Sequence, residues 1–146
     1  MIWKIFILIF PLGLSADQFY FSDLNKGGDY IVASNEGVLL NGRIVLRKKL
    51  GPETKVKIND SGDWIMGHSD GVYLNGIKVL ERSKISQYFD IDLNDFGGWI
   101  ICGPKGIIIN GVLNTRSMGI GANPTCRINE QGQWIVSSNK GLFISE

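Results

Sequence analysis

Histidine is nearly absent from this chain of 146 residues, in which His68 stands alone. A metal centre or a histidine-based catalytic site needs partner residues, and no His, Cys or carboxylate cluster with ligand spacing surrounds His68 in the sequence. We therefore interpret His68 as an ordinary turn residue. We expect no metal and no other cofactor.

Cysteine is also scarce, since the chain has only Cys102 and Cys126. Two cysteines cannot form the multi-bridge framework of small exported domains. An oxidising compartment would permit one disulfide between them, and two packed free thiols are the alternative. The sequence leaves both open.

A charge excess of either sign is missing, because 15 Lys and Arg residues face 14 Asp and Glu residues. Proteins that bind nucleic acids or anionic membranes usually carry a basic surplus. We expect no nucleic-acid partner, and no membrane partner once the N-terminal segment has been removed.

Long apolar runs are confined to the N-terminus, which reads MIWKIFILIFPLGLSA over residues 1–16. Lys4 precedes an apolar run from Ile5 to Leu14, and two small residues follow, as in a secretory signal peptide. The run is shorter than the ~20 residues of a membrane span, although an uncleaved anchor is the alternative reading. The pattern predicts a secreted or periplasmic protein with a single domain over 17–146.

Glycine, in contrast, is abundant, with 19 residues, and it recurs in a repeat. Four segments align without gaps: LNKGGDYIVASNEGVLLNG, INDSGDWIMGHSDGVYLNG, LNDFGGWIICGPKGIIING and INEQGQWIVSSNKGLFISE. Three positions mark the register, namely an Asn at 25, 59, 94 and 129, an aromatic at 30, 64, 99 and 134, and a Gly at 37, 71, 106 and 141. Each series advances by 34, 35 and 35 residues, so the domain consists of four repeats.

Each repeat is punctuated by turn residues that leave room only for short strands. In the second unit, glycine-containing turns separate the runs Lys55–Ile58, Trp64–Met66, Val72–Leu74 and Ile77–Leu80, and Asn75-Gly76 is a two-residue hairpin signal. No apolar spacing of 3.6 residues survives between the glycines, which argues against helices. Each unit is therefore predicted to be a four-stranded antiparallel meander.

Four such units predict an all-β fold, most simply a small four-bladed β-propeller, with units near 19–50, 51–84, 85–120 and 121–146. An open β-roll or solenoid and an oligomeric propeller are the alternatives. The fourth unit has no fourth strand, which leaves an open sheet edge. We expect Gln18–Phe21 to pair there and close a monomeric ring, or a second chain to cover the edge in a homo-oligomer.

The segments INDSGDWIMG and INEQGQWIVS resemble the I-N-x-x-G-x-I-V-G core of bacterial extracellular repeats of the HAF type. The units are also similar to the blades of small lectin propellers of the tachylectin type, which carry a Trp and Asn-Gly turns. The second resemblance implies sugar binding.

Candidate ligand-binding residues lie in the turn between the second and third strands, where the units differ from one another. Loops at one end of a sheet often bind ligands, although ordinary solvated turns are the alternative. The aromatic residues are candidates as stacking platforms, but core packing between units is the favoured interpretation. These candidates are Glu36, Ser69, Asp70, Lys105 and Lys140 in the turns, and Trp64, Trp99 and Trp134 among the aromatics.

Patterns for catalysis are weak. The segment DLNDFG has Phe96 where a calcium loop needs an oxygen ligand, and no serine lies in a nucleophile-elbow pattern. Asp90 and Asp92 alternate on one strand in one unit only, which does not favour a glycosidase pair. The sequence therefore predicts a non-catalytic binding module that presents blade-rim loops to a glycan or other surface ligand. A structural protein that assembles with itself or with a protein partner through its open edge is the alternative.

Overall fold

The computed structural model describes residues 18–81, 90–104, 106–114 and 119–146, which form strands and turns. The predicted signal peptide lies outside these residues. Within them, no helix is long and apolar enough to cross a bilayer. The fifteen strands are β1 (Phe19–Leu24), β2 (Tyr30–Ser34), β3 (Gly37–Leu40), β4 (Arg43–Arg47), β5 (Lys55–Ile58), β6 (Trp64–His68), β7 (Gly71–Leu74), β8 (Ile77–Glu81), β9 (Asp90–Leu93), β10 (Trp99–Gly103), β11 (Gly106–Ile109), β12 (Val112–Asn114), β13 (Thr125–Ile128), β14 (Trp134–Ser138) and β15 (Gly141–Ile144).

The strands form four antiparallel sheets, one for each repeat, and this confirms the all-β repeat architecture. Sheet A contains β1–β4, sheet B β5–β8, sheet C β9–β12 and sheet D β13–β15, each in sequence order. Sheet D has three strands, as expected from the truncated fourth repeat. Each sheet is a meander of neighbouring strands, so its hydrogen bonds join residues close in sequence.

The four sheets do not close into a ring. Extensive contacts between sheets join consecutive units, through β1 with β5, β5 with β9, and β9 with β13. The expectation that Gln18–Phe21 pairs with the last unit is wrong, because β1 hydrogen-bonds to β2 as the first strand of sheet A. The arrangement is the open one that the sequence left as an alternative to a four-bladed ring.

Consecutive sheets stack face to face in one orientation. We call the face that carries the aromatic residue at the start of the second strand the front face, and the opposite face the rear face. Three apolar clusters fill the spaces between sheets, each joining the rear of one sheet to the front of the next. The residues at their centres include Ile31, Val38, Trp64 and Met66 between A and B; Ile65, Val72, Trp99 and Ile101 between B and C; and Ile100, Ile107, Cys126 and Val136 between C and D.

The Asn-Gly pairs form the predicted tight hairpins between the third and fourth strands. Asn41, Asn75 and Asn110 have φ angles of 50°, 49° and 50°, in the left-handed region that a type I′ turn requires. Their side chains also accept hydrogen bonds from the backbone N–H at the start of the second strand, as between Trp64 and Asn75 at 2.9 Å. Each asparagine thus fixes both a turn and the position of an aromatic residue.

The middle glycine of the first two repeats, Gly37 and Gly71, is required by close packing as well as by its backbone. Gly71 has φ of 151°, and a Cβ there would overlap the carbonyl oxygen of Leu80 on β8. Gly141 has a similar φ of 137°, but no atom lies within 4 Å of the position of its Cβ, because sheet D has no fourth strand. Gly71 is thus restricted both by its positive φ and by the close carbonyl, whereas Gly141 is restricted by its positive φ alone.

A ladder of asparagine side chains links the leading turns of all four units. Asn25 donates through Nδ2 to the carbonyl of Asn59 at 3.0 Å, Asn59 to Asn94 at 2.8 Å, and Asn94 to Asn129 at 2.8 Å. The first three side chains are buried, with 4–7% of their surface exposed. At the end of the ladder, Nδ2 of Asn129 donates to Oε1 of Gln133 in its own turn.

A second ladder of acidic residues runs beside the first. The backbone N–H of Lys26 donates to the carboxylate of Asp60 at 2.9 Å, that of Asp60 to Asp95 at 2.7 Å, and that of Asp95 to Glu130 at 2.9 Å. Both ladders repeat the same donor and acceptor from one unit to the next. The relative placement of the sheets is therefore fixed by polar contacts as well as by apolar packing.

Candidate functional site

The predicted ligand residue Asp70 lies in a polar cluster at the rim of sheet B, in the turn between β6 and β7. Its Oδ1 is 2.7 Å from Nδ1 of His68, and its Oδ2 accepts a hydrogen bond from the Tyr73 hydroxyl at 2.9 Å. Lys48, in the segment that follows sheet A, places its Nζ 2.6 Å from the same oxygen. Nε2 of His68 lies 3.3 Å from Oε1 of Glu53.

The electrostatics of this cluster favour an ionised Asp70. Burial alone would raise its pKa, but hydrogen bonds from Lys48, His68 and Tyr73 outweigh burial and hold the pKa well below its ordinary value. All of these partners belong to the protein, so the cluster joins the segment after sheet A to sheet B. We interpret it as a structural clamp.

The interpretation of His68 as an ordinary turn residue needs correction. The side chain is buried, with 8% of the residue exposed, and it contacts two carboxylates. The contact with Glu53 could not be predicted from the sequence, because Glu53 lies fifteen positions away in a segment without repeat character. Across the described ranges, no group of three or more His, Cys, Asp or Glu residues could hold a metal ion.

The other turn candidates do not converge on one site. Glu36, Ser69 and Lys140 are exposed and belong to three different sheets, A, B and D. Lys105 lies outside the described residues. Of the turn candidates, only Glu36 also lines a large groove, which is described below.

The three tryptophans take different environments along the stack. Trp64 and Trp99 lie in the apolar clusters with 5% of their surface exposed, and Trp134 is half-buried against the third cluster. The rings of Trp64 and Trp99 are buried too deeply to offer a face for stacking a ligand. Their counterpart in sheet A, Tyr30, is 38% exposed, since sheet A is the first sheet of the part of the chain that the structure describes.

Asp90 and Asp92 join sheet C to sheet D. Oδ2 of Asp90 accepts hydrogen bonds from the backbone of Cys126 and from Arg127, both at 3.0 Å. Oδ2 of Asp92 accepts one from the Ile128 backbone at 2.9 Å, and burial raises the pKa of its carboxyl above the ordinary value. These carboxylates serve as inter-sheet acceptors, as the acidic residues of the turn ladder do.

The two cysteines are free and buried in the cluster between sheets C and D. Of the two arrangements that the sequence left open, the structure has packed thiols. Burial raises the pKa of the Cys126 thiol far above its ordinary value, so that this thiol stays protonated at neutral pH.

A large concave surface lies on the front face of sheet A. The groove has a volume of about 800 Å³ and an open mouth. Its walls combine aromatic and aliphatic side chains from all four strands with one carboxylate. The lining residues are Phe19, Tyr20, Phe21, Ser22, Tyr30, Val32, Ser34, Glu36, Leu39, Gly42 and Ile44.

The rear face of sheet D is the second apolar surface left exposed at an end of the stack. Ile135, Leu142 and Ile144 have 43%, 64% and 64% of their surface exposed. Their counterparts in sheet C are Ile100 and Ile107, which are fully buried, and Ile109, which packs against the third cluster. The stack therefore presents an apolar front face at one end and an apolar rear face at the other.

No family model matches this sequence, and no curated protein matches it. Among solved structures, the chain is similar to a protein of unknown function from Bacteroides caccae, with 11% identity, 85% of this chain and 54% of that chain covered, and a TM-score of 0.48. It is also similar to two structures of the extracellular domain of BT4673 from B. thetaiotaomicron, which is described as a one-component and as a hybrid two-component system. These have 10% identity and a TM-score of 0.31, and the matches cover 89% and 92% of this chain but 22% and 23% of those chains.

The chain thus spans about half the length of the first of these proteins and less than a quarter of the other. TM-scores below 0.5 do not define a shared fold. The activity and partners of those proteins are not carried over to this chain.

Proposed function

We propose that this chain is an exported, non-catalytic interaction module that binds its partner through the front face of sheet A. The observation that carries the proposal is the apolar groove on that face, which also exposes Leu24 at a repeat position that is buried in every following sheet. Leu24 is 66% exposed, whereas Ile58, Leu93 and Ile128 at the same repeat position are 7–8% exposed. Exposed apolar faces of this kind are typical of interaction sites.

The rim loops are less suited to this role than the groove. Asp70 is already held by Lys48, His68 and Tyr73, so a ligand would have to displace contacts within the protein. Glu36 differs, because its exposed side chain lies at the wall of the groove. The groove therefore combines a large apolar contact with a carboxylate that can orient a partner.

A protein partner fits this face better than a glycan does. The front faces of sheets B, C and D each bury their apolar side chains against a neighbouring sheet, so sheet A carries the same type of surface without a neighbour. A glycan remains the second candidate, because the exposed rings of Phe21 and Tyr30 beside Glu36 could stack on sugars. That reading accords with the lectin resemblance.

Two neighbouring residues of β4 provide a matched test of the groove. Ile44 lines the groove and is 38% exposed, whereas Val45 is 41% exposed and does not line it. The unmodified chain and the variants Ile44→Asp and Val45→Asp are each tested for binding to a glycan array. Each is also tested against a panel of extracellular proteins that includes the chain itself. We expect binding to be lost with Ile44→Asp and kept with Val45→Asp. Binding that survives Ile44→Asp, or that is absent from the unmodified chain, contradicts the proposal.

A further inference from the structure

We propose that the front face of sheet A and the rear face of sheet D are the two halves of one interface, and that a second copy of this chain occupies each. The copies would join head to tail, with sheet D of one stacked on sheet A of the next. This inference rests on the proposed function and names the partner of the groove face. Four sets of residues support it.

The apolar surfaces continue a contact that the chain already makes three times. In each internal contact, a rear face with the positions of Ile135 and Leu142 packs against a front face with the positions of Leu24 and Tyr30. At the two ends of the stack, these same positions carry apolar side chains that are 38–66% exposed. A second copy would bury both ends in the arrangement found between sheets A and B.

The charges on the first strand of each sheet alternate along the stack. Asp23, Lys57, Asp92 and Arg127 occupy the same repeat position, and Lys57 Nζ lies 4.0 Å from Asp23 Oδ1. Burial alone would lower the pKa of Arg127, but its interactions with Asp90 and Asp92 outweigh burial and raise that pKa above its ordinary value. The next residue in the series would be Asp23 of the second copy, so the alternation continues across the junction.

The two ends of the acidic turn ladder also carry opposite charges. Lys26 is the only basic residue of the ladder, and its Nζ pairs with Asp60 at 2.9 Å. At the other end stands Glu130, on the last sheet of the described residues. In the head-to-tail junction, Glu130 would face Lys26 of the second copy, so two carboxylates do not meet there.

At each end of the asparagine ladder, one group makes no hydrogen bond to another unit of the described chain: a side-chain amide at one end and a backbone carbonyl at the other. The side chain of Asn129 is exposed and donates within its own turn. The carbonyl of Asn25 is the first of the series, and its partner within the chain is the N–H of Gly28 in the same turn. Asn129 of one copy can therefore donate to Asn25 of the next, as Asn94 does to Asn129.

Each copy has one front end and one rear end, so the association is heterologous. Heterologous contacts form a closed ring when the rotation between copies closes, and an open filament when it does not. The rotation at the junction is that between consecutive sheets of one chain. A discrete multiple of the chain mass would indicate the ring.

The first experiment measures the mass of the purified chain by sedimentation over a range of concentrations. Leu142→Asp places a charge in the proposed junction, and Ile77→Asp is the control, because the two residues are 64% and 70% exposed and Ile77 lies outside both end faces. We expect a multiple of the chain mass for the unmodified chain and for Ile77→Asp, and the single-chain mass for Leu142→Asp. Circular dichroism establishes that each variant is folded. A strict monomer, or association that survives Leu142→Asp, overturns the inference.

The second experiment tests the orientation by exchanging charges. Chains with Lys26→Glu alone, or with Glu130→Lys alone, place like charges at every junction and should associate at least ~10-fold more weakly than the unmodified chain. A mixture of the two variants restores opposite charges at every junction between unlike chains, so we expect association to return on mixing. Association that is unaffected in the single variants, or that fails to return in the mixture, excludes the head-to-tail junction.

The two proposals fail in different ways. If the chain is a monomer that binds a glycan or another protein, and Ile44→Asp abolishes that binding, the interaction module is supported. The same result overturns the proposal that a second copy is the partner. A chain that binds nothing through the groove in either assay overturns both.

Discussion

The buried asparagine ladder predicts that Asn59→Ala destabilises the protein far more than the same change at the exposed end of the ladder. Asn59 is 4% exposed, donates to the Asn94 carbonyl at 2.8 Å and accepts from the Asp63 N–H at 2.7 Å. Alanine removes both hydrogen bonds and leaves two backbone groups without their side-chain partner. A buried polar group left in this state costs about 1–3 kcal/mol.

The expected loss is toward the lower end of that range for the carbonyl, because Asn94 also accepts a hydrogen bond from the N–H of Gly97. Adding the N–H of Asp63 gives a total loss of about 2–3 kcal/mol in the free energy of unfolding. This is a large part of the ~5–15 kcal/mol that stabilises a typical domain.

Asn129→Ala is the control, because Asn129 holds the same place in the repeat but is exposed, and its side chain contacts only its own turn. Water can replace its hydrogen bonds, so we expect a loss of about 0.5–1 kcal/mol. Urea titration of both variants, at concentrations where the chain is monomeric, gives the two free energies with their slopes. Equal losses, or a larger loss at Asn129, would refute the ladder as a source of stability.

Three further predictions concern packing and charge. Trp99→Ala should lower the free energy of unfolding by about 3–5 kcal/mol in a urea titration, since the ring is buried between sheets B and C; an unchanged midpoint would contradict that role. Gly71→Ala should shift the melting temperature further down than Gly141→Ala, because both have positive φ but only Gly71 faces a carbonyl oxygen of β8; equal shifts would mean that backbone strain alone decides. The lowered pKa of Asp70 predicts stability that is present above the ordinary Asp pKa of 3.8 and lost as pH falls toward the folded-state value. Asp70→Asn should remove this part of the acid dependence between about pH 5 and pH 2, and an unaltered pH profile of unfolding would argue against the clamp with Lys48.

Much of the fold could be predicted from the sequence because its determinants are local. The Asn-Gly pairs specify positive φ, and the repeated glycine marks a place where two strands approach closely. These signals fix the four meanders and the bounds of most strands. The absence of a fourth strand in the last unit follows from the same reasoning.

The contacts between sheets could not be predicted in the same way. A repeated Asn before a glycine indicates a turn, and Oδ1 of Asn59 does bind within its own turn, but its Nδ2 binds a carbonyl 35 positions away. The closure of the ring was wrong because the rotation between sheets depends on side-chain volumes in the clusters, which the repeat pattern does not encode. The Asp70 cluster was missed because Lys48 and Glu53 lie in a connecting segment without repeat character.

Every contact between consecutive sheets of the stack uses the same repeat positions. This affects how the number of repeats in such a chain can change. Copying two consecutive segments, about 70 residues, would add two sheets that fit both neighbours and keep the alternation of charge. Adding repeats in this way requires no compensating change elsewhere in the chain. In contrast, a substitution in the contact between two sheets must be matched by a change in the residue that it packs against. Among related proteins, the number of repeats should therefore vary more freely than the identity of the residues that pack between the sheets.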